Sequence, residues 1–141
     1  MAAAPEVDRT ESTREVLEAY WKTHDASYVA EDAVFTMMPT GEEIRGREAI
    51  ARHLAGFYHG ALDARAEHVS SIVSGAKGLL EANVVGTHTG DFAGIAATGR
   101  SVRVPLAVSY EVRDGLIRTA RIYLMVNVLI EQLRSDDQLV A

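Results

Sequence analysis

The fold is decided by residues 86–125, GTHTGDFAGIAATGRSVRVPLAVSYEVRDGLIRTARIYLM. Every second residue in the middle of this stretch is apolar or aromatic: Val102, Val104, Leu106, Val108, Tyr110 and Val112. This period of two is typical of a half-buried β-strand. Asp114-Gly115 follows that strand and predicts a hairpin turn, because such turns need positive φ. We therefore expect three consecutive antiparallel strands here, the outer two ending at His88 and Met125.

The chain before this stretch contains the helices. An apolar stripe (Val16, Leu17, Tyr20, Trp21, His24) predicts a helix over residues 10–23, with Ser12 and Glu15 as a capping box. A second stripe (Ile50, His53, Leu54, Phe57, Tyr58) predicts a helix over residues 47–59. A short helix at 26–30, strands at 33–38, 42–45, 64–74 and 79–88, and a last helix at 126–134 complete the prediction. Helices followed by adjacent strands indicate the α+β class.

Composition limits the function classes. The 141 residues fit one domain, with residues 1–9 and 135–141 as loose tails. A formal charge of −6 argues against nucleic-acid binding, which needs a basic face. The chain has no cysteine, which excludes disulfides and thiol chemistry. We see no secretory signal and no apolar run long enough to cross a membrane, so we expect a cytoplasmic protein by default.

Several motifs together resemble one family. They are GTHTGDF at 86–92, TGRSVRVP at 98–105, YEVRDGLI at 110–117, YVAEDAVF at 28–35, IRGREAI at 44–50 and LIEQL at 129–133. In order and spacing they resemble the SnoaL-like polyketide cyclase and ester cyclase group of the nuclear-transport-factor-2-like superfamily. The resemblance covers almost everything after Val16. It implies a curved antiparallel sheet wrapped around about three helices into a cone, with a pocket between the sheet and the helices.

The last strand departs from the family pattern. The resemblance implies that Ile117, Thr119, Arg121, Tyr123 and Met125 line the pocket. Relatives usually carry Trp where Arg121 stands, a catalytic Asp where Met125 stands, and often His where Ala120 stands. Met125 cannot transfer a proton, so the usual acid–base role does not carry over to that position. Either the chain has become a binder, or other groups perform a related reaction.

Four residues are candidates for that chemistry. His88 lies on the apolar face of its strand, and either serves as a pocket acid or base, or ties the strand end to the loop at 90–99. His53 lies on the pocket stripe of its helix, or reaches solvent at the mouth of the cone. Tyr20 either donates to a substrate oxygen or is simply core. Asp91 is a candidate acid, or a turn residue that caps backbone N–H groups.

Arg121 and Tyr123 complete the candidate catalytic set. The Arg121 guanidinium could hold a substrate carboxylate or an enolate, or pair with Glu111 or Asp91. Tyr123 is a second hydrogen-bond donor on the same predicted face. We expect the binding wall to be apolar and aromatic, with Trp21 serving for binding or packing: Trp21, Phe35, Met37, Phe57, Leu106, Tyr110 and Met125. We predict no metal site, since none of the five histidines forms a ligand motif.

The sequence thus favours a cofactor-independent cyclase or isomerase acting on a hydrophobic, oxygen-bearing molecule, polyketide- or terpenoid-like. A non-catalytic small-molecule binder and an epoxide hydrolase-like enzyme are the alternatives on the same scaffold, and an interaction module is a third. The resemblance also implies a homodimer formed through the outer face of the sheet.

Overall fold

The computed structural model describes the backbone of residues 3–134 and the side chains of residues 9–134. It contains three α-helices: α1 (Ala3–Thr23), α2 (Arg47–Gly56) and α3 (Val126–Arg134). Six strands accompany them: β1 (Val29–Met37), β2 (Glu42–Arg45), β3 (Leu62–Ser74), β4 (Lys77–His88), β5 (Ser101–Arg113) and β6 (Leu116–Leu124). The predicted α+β class is confirmed, and the predicted tail at 135–141 lies outside the described residues.

The six strands form one curved sheet in the order β2-β1-β6-β5-β4-β3. Strands β3 to β6 pair as an antiparallel meander, in which two-residue turns join β3 to β4 and β5 to β6, and a longer loop joins β4 to β5. β1 instead lies parallel to β6, so the sheet is mixed rather than antiparallel throughout. No turn joins β1 to β6 directly, and therefore no hairpin imposes an antiparallel pair.

The core lies on the concave face of the sheet. The alternate residues of β5 that the sequence assigned to one face turn inward, and Val102, Val104 and Tyr110 are almost fully buried. β4 buries Leu80, Ala82 and Val84 in the same way. α3 covers one end of this face with Leu129 and Leu133. The helices are thus held by apolar burial, at roughly 1.5–3 kcal/mol for each large side chain.

The first helix is longer than the sequence analysis predicted. α1 begins at Ala3, so the loose arm predicted for residues 1–9 is wrong from residue 3 onward. Alanine favours helix, and Pro5 falls in the first turn, where its missing N–H costs little. Ser12 therefore sits inside the helix and donates to the carbonyl of Arg9 at 3.2 Å instead of forming the predicted cap.

The predicted helix at 47–59 divides into two parts. α2 ends at Gly56, and a single π-helical turn, Phe57–Ala61, follows it. Such turns are rare and are found frequently at functional sites. Here the turn carries Phe57 and Tyr58 against the concave face before β3 begins at Leu62.

A β-bulge in β6 changes which of its side chains face inward. Val112 pairs with Ile117, but Glu111 pairs with Thr119, so Arg118 is an extra residue between them. An inserted residue reverses the alternation beyond it. Ile117 is buried, and after the bulge it is Ala120, Ile122 and Leu124 that turn inward. The prediction that Thr119, Arg121 and Tyr123 face the pocket assumed a regular strand and is wrong.

Candidate functional site

A small cavity lies between the concave face of the sheet and the ends of α1 and α2. Its volume is about 50 Å³. Fifteen residues line it, and most of them are apolar or aromatic: Tyr20, His24, Phe35, Met37, His53, Leu54, Phe57, Tyr58, Ala66, Leu80, Leu106, Val108, Tyr110, Ile122 and Leu124. A drug-sized ligand fills roughly 300–1,000 Å³. The cavity is therefore too small for such a ligand and has room for a few water molecules.

Three tyrosines from three different elements bring their rings into this cavity. Tyr20 lies on α1, Tyr58 on the π turn and Tyr110 on β5, and each is at most 7% exposed. The Tyr20 and Tyr110 rings meet edge to face with 6.1 Å between centroids. A tyrosine on a cavity wall presents a phenolic O–H that can donate a hydrogen bond to a ligand oxygen.

Burial keeps all three tyrosines protonated. It raises the pKa of Tyr20 well above its usual value, and the neighbouring Tyr110 and Tyr58 raise it further. Burial alone raises the pKa of Tyr58 to about 12. The pKa of Tyr110 is raised mainly by burial, opposed by the nearby Trp21 indole, whose N–H nevertheless makes no hydrogen bond among the described residues. At neutral pH the cavity therefore offers neutral O–H donors.

Two histidines supply the proton acceptors. His24 directly follows the last residue of α1 and has a φ of 57°. Its ring stacks on that of Tyr58, with the ring centroids 4.7 Å apart. It also meets Tyr20 edge to face at 5.3 Å. Burial, and after it the electrostatic effect of the neighbouring His59, lowers the pKa of His24. His24 is thus a neutral base at pH 7, and His53 on α2 lines the same cavity.

Among the residues that the structure describes, no carboxylate lines this cavity. The proton-transfer groups are two imidazoles and three phenols on an apolar wall. Phenols can donate to an oxygen that becomes negative, and a neutral imidazole can remove a proton from carbon. The arrangement suits chemistry at a carbonyl or enol, in which negative charge develops on oxygen.

The cavity contains most of the wall that the sequence predicted. Tyr20 and His53 line it, as do five of the residues predicted for binding: Phe35, Met37, Phe57, Leu106 and Tyr110. Trp21 does not line it. Its ring packs beside Tyr110 at 6.0 Å and His68 at 6.4 Å, which is the packing alternative.

His88 and Asp91 lie outside this cavity. His88 is fully buried at the end of β4, where its Nδ1 accepts from the backbone N–H of Thr98 at 3.1 Å. The Thr98 hydroxyl lies 2.9 Å from the same nitrogen, so the imidazole ties the strand end to the following loop. Its Nε2 is buried without a partner among the described residues. Asp91 is exposed in that loop, so neither residue meets the predicted pocket.

Arg121, Tyr123 and Met125 lie on the opposite face of the sheet. Arg121 is exposed, and Tyr123 and Met125 are each 45% exposed. Tyr123 and Met125 instead border a shallow outer groove with Val69 and Pro105. The prediction that these three side chains line the pocket is wrong because the bulge at Arg118 turns them outward. The predicted convergence of Arg121 and His88 on one cavity is also wrong, because Arg121 is turned outward and His88 is bound to Thr98 outside the cavity.

Sequence reasoning missed two polar members of the cavity. His24 and Tyr58 were assigned to helix stripes as packing residues. The signal for His24 was its position next to Asp25, whose carboxylate caps the following turn. A capping residue there indicates that the first helix ends just before it, so that His24 need not follow the helix stripe. Tyr58 had no such signal, because its direction depends on the π turn.

No group of three or more His, Asp or Glu side chains among the described residues comes together as a metal site. None of the described helices is long and apolar enough to cross a membrane.

The fold and site define a class: an α+β cone whose concave sheet face and helices enclose an apolar pocket with a few polar groups. The family model for the SnoaL-like polyketide cyclase matches residues 11–133. The chain therefore belongs to the SnoaL-like polyketide cyclase family. No curated protein sequence matches it.

Solved structures agree on the fold. A candidate SnoaL-like polyketide cyclase from Jannaschia sp. CCS1 is 14% identical, over 92% of this chain and 96% of its own, with a TM-score of 0.82. A candidate polyketide cyclase from Xanthomonas campestris pv. campestris is 20% identical, over 89% and 98%, with a TM-score of 0.79. A candidate ketosteroid isomerase from Kribbella flavida DSM 17836 is 19% identical, over 94% and 85%, with a TM-score of 0.65.

Proposed function

We propose that this chain is a cofactor-independent cyclase or isomerase for a hydrophobic, oxygen-bearing small molecule of polyketide or terpenoid type. One observation carries the proposal: three buried tyrosines and a histidine whose pKa is lowered by burial share one apolar cavity. The family and the similarity to polyketide cyclases and to a ketosteroid isomerase support the same reaction class.

In the proposed step, the neutral imidazole of His24 removes a proton from the carbon next to a substrate carbonyl. The electron pair moves onto the carbonyl oxygen, and a tyrosine hydroxyl, foremost Tyr20, donates a hydrogen bond to the enolate. In cyclisation the enolate carbon attacks a second carbonyl, and the resulting alkoxide takes the proton back from the imidazolium. In isomerisation the proton returns to a different carbon. Every proton is conserved, so no cofactor is needed.

At about 50 Å³ the cavity is too small for a substrate, so side chains that line it must move before a substrate enters. His53, Leu54 and Phe57 stand on α2 and the π turn, between the cavity and solvent, and are only partly buried. Displacing them would enlarge the cavity from the helix side, and their return would exclude water during the reaction. His53 would then lie at the mouth of the cavity. This is the second of the two positions that the sequence analysis considered for it.

The proposal is tested with two probes. 2-Tetralone reports proton abstraction through exchange of its α-protons in D₂O, followed by NMR. 2-Naphthol, a stable analogue of its enol, reports binding. We expect Tyr20→Phe to lower exchange by roughly 10²–10³, as for an oxyanion donor, and to weaken 2-naphthol binding about tenfold. His24→Gln should lower exchange by roughly 10²–10⁴ and leave binding nearly unchanged.

Tyr123→Phe is the matched control, because Tyr123 carries the same hydroxyl on the outer face. It should leave both the exchange of 2-tetralone protons and the binding of 2-naphthol at the parental level. Binding of 2-naphthol without exchange would favour the non-catalytic binder, for which the lack of a carboxylate in the cavity is the supporting observation. If the parent neither binds 2-naphthol nor exchanges 2-tetralone protons, the proposal fails.

A further inference from the structure

A second groove lies beside α1, at Arg9, Ser12 and Thr13. It runs between α1, the turn that joins β3 to β4 and the turn that joins β5 to β6, and its volume is about 470 Å³. Its lining is polar and rich in arginine: Arg9, Ser12, Thr13, Ala76, Glu111, Val112, Arg113, Asp114, Gly115 and Arg118. It shares no residue with the tyrosine cavity. We call it the arginine groove.

The arginine groove is cationic on an acidic protein. It contains three arginines and two carboxylates, whereas the chain as a whole carries a formal charge of −6. Arg118 pairs with Asp32 at 3.0 Å and lies 3.8 Å from Asp114. Glu111 lies 3.8 Å from Lys77.

The other two arginines are not neutralised in this way. Arg9 and Arg113 make no ion pair with any of the residues from 9 to 134. Both side chains are exposed at the groove. Within residues 9–134, two guanidinium groups are therefore left for a ligand.

Two buried donors in the arginine groove are also without partners. Thr13 is 1% exposed, and its hydroxyl makes no hydrogen bond among the described residues. The Nε of Arg118 is buried and unpartnered in the same part of the chain. A buried polar group left unpaired is costly, and native proteins usually pair it with protein, water or ligand. Both groups belong to residues that line the groove.

We propose that the arginine groove binds the phosphate group of a small phosphorylated molecule. A guanidinium forks onto phosphate oxygens in a bidentate way, and a hydroxyl donor adds a further hydrogen bond. A phosphate dianion offers more acceptor oxygens and more charge than a carboxylate, which suits several donors around one groove. The site is independent of the reaction proposed for the tyrosine cavity.

Inorganic phosphate is the probe. It is titrated into the full chain by two-dimensional NMR at constant ionic strength, with chloride and acetate as separate arms. We expect saturable shifts for groove residues with phosphate, at least fivefold weaker shifts with acetate, and none with chloride. Arg113→Gln should weaken phosphate binding at least fivefold. Arg52→Gln is the matched control, since Arg52 is an exposed arginine on α2, outside the arginine groove.

Thr13→Val separates a binding role from simple burial. Valine has nearly the same shape and lacks the hydroxyl, so a purely structural Thr13 predicts a higher melting temperature and unchanged phosphate affinity. The proposed site predicts weaker phosphate binding, by about threefold or more, in a protein that still folds. Non-saturating shifts, equal effects of Arg52→Gln and Arg113→Gln, or unchanged affinity in both Arg113→Gln and Thr13→Val would overturn the proposal.

Discussion

At the scale of single residues, His24 has the most demanding position. Its φ of 57° is uncommon for a residue other than glycine, and its ring is packed between Tyr20 and Tyr58. Backbone strain of this kind is found at functional sites, and here it lies at a cavity that three tyrosines line. This position is consistent with the role of base proposed for it.

The lowered pKa of His24 gives a pH dependence of stability. Burial holds the folded-state pKa below the value near 6.5 of the unfolded chain. As pH falls below about 6.5, the unfolded chain takes up a proton that the folded protein still refuses, so the folded state loses stability down to the folded pKa. Chemical denaturation between pH 7.5 and 5 should show this loss.

His24→Gln should flatten that part of the profile. His68→Gln is the control, because His68 is exposed and its ring hydrogen-bonds to the exposed Ser71 at 3.0 Å. We expect its profile to follow that of the parent. If the free energy of unfolding of His24→Gln falls with pH as steeply as that of the parent, another group causes the loss of stability.

The same residues show how far the sequence reaches. Tyr20 and Tyr110 were placed on inward faces by periods of 3.6 and two, and both line the cavity. His24 and Tyr58 sit where the regular helix ends, in a left-handed turn and a π turn. Periodicity carries no information about the direction of a side chain at such a break. The sequence therefore predicted only some members of the tyrosine and histidine cluster.

At the scale of elements, the bulge in β6 is the decisive irregularity. One extra residue, Arg118, moved three predicted site residues to the outside. The sequence held a warning, since a regular strand would have buried Thr119 and Arg121 and exposed Ile122 and Leu124. A buried guanidinium costs much more than a bulge. One inserted residue in β6 avoids that cost, because it turns Arg121 outward and Ile122 and Leu124 inward.

The β3–β4 pair depends on one glycine. Gly86 pairs with Ala64, and a Cβ there would lie 2.5 Å from the Cα of Ala64 and against the carbonyl oxygen of Asp63. Both contacts are with backbone, which cannot move aside easily. We expect Gly86→Ala to destabilise the fold by about 1–3 kcal/mol, as overpacking does, measured by urea denaturation.

Gly56→Ala is the opposite case and serves as the control. Gly56 has a helical φ of −63°, and a Cβ added there meets nothing within 4 Å. Alanine in that place should stabilise the protein by about 0.5–1 kcal/mol, because the unfolded chain loses freedom. Equal responses of the two variants would mean that the close approach of β3 to β4 is not what selects glycine at 86.

At the scale of the whole molecule, the two faces of the sheet have different tasks. The concave face is filled by the core and the cavity, and the helices close it. The outer face carries a set of exposed large apolar side chains: Val69, Ile72, Leu79, Tyr123 and Met125. Exposed apolar patches of this kind mark interaction surfaces. The bulge that removed Tyr123 and Met125 from the pocket therefore enlarges the surface through which a homodimer was predicted.

We expect the chain to form that homodimer in solution, at micromolar concentration, with twice the 15.3 kDa mass of the chain in analytical ultracentrifugation. Met125→Asp should fold normally, because Met125 is 45% exposed, and should shift the mass towards the monomer, since a charge in an apolar interface is left without solvent. Ala55→Asp adds the same charge to an exposed position on α2, away from the sheet, and should leave the dimer intact. A parental chain that sediments at 15.3 kDa would contradict the dimer. Loss of the fold in Met125→Asp would instead contradict the outward position of that side chain, on which the reading of β6 depends.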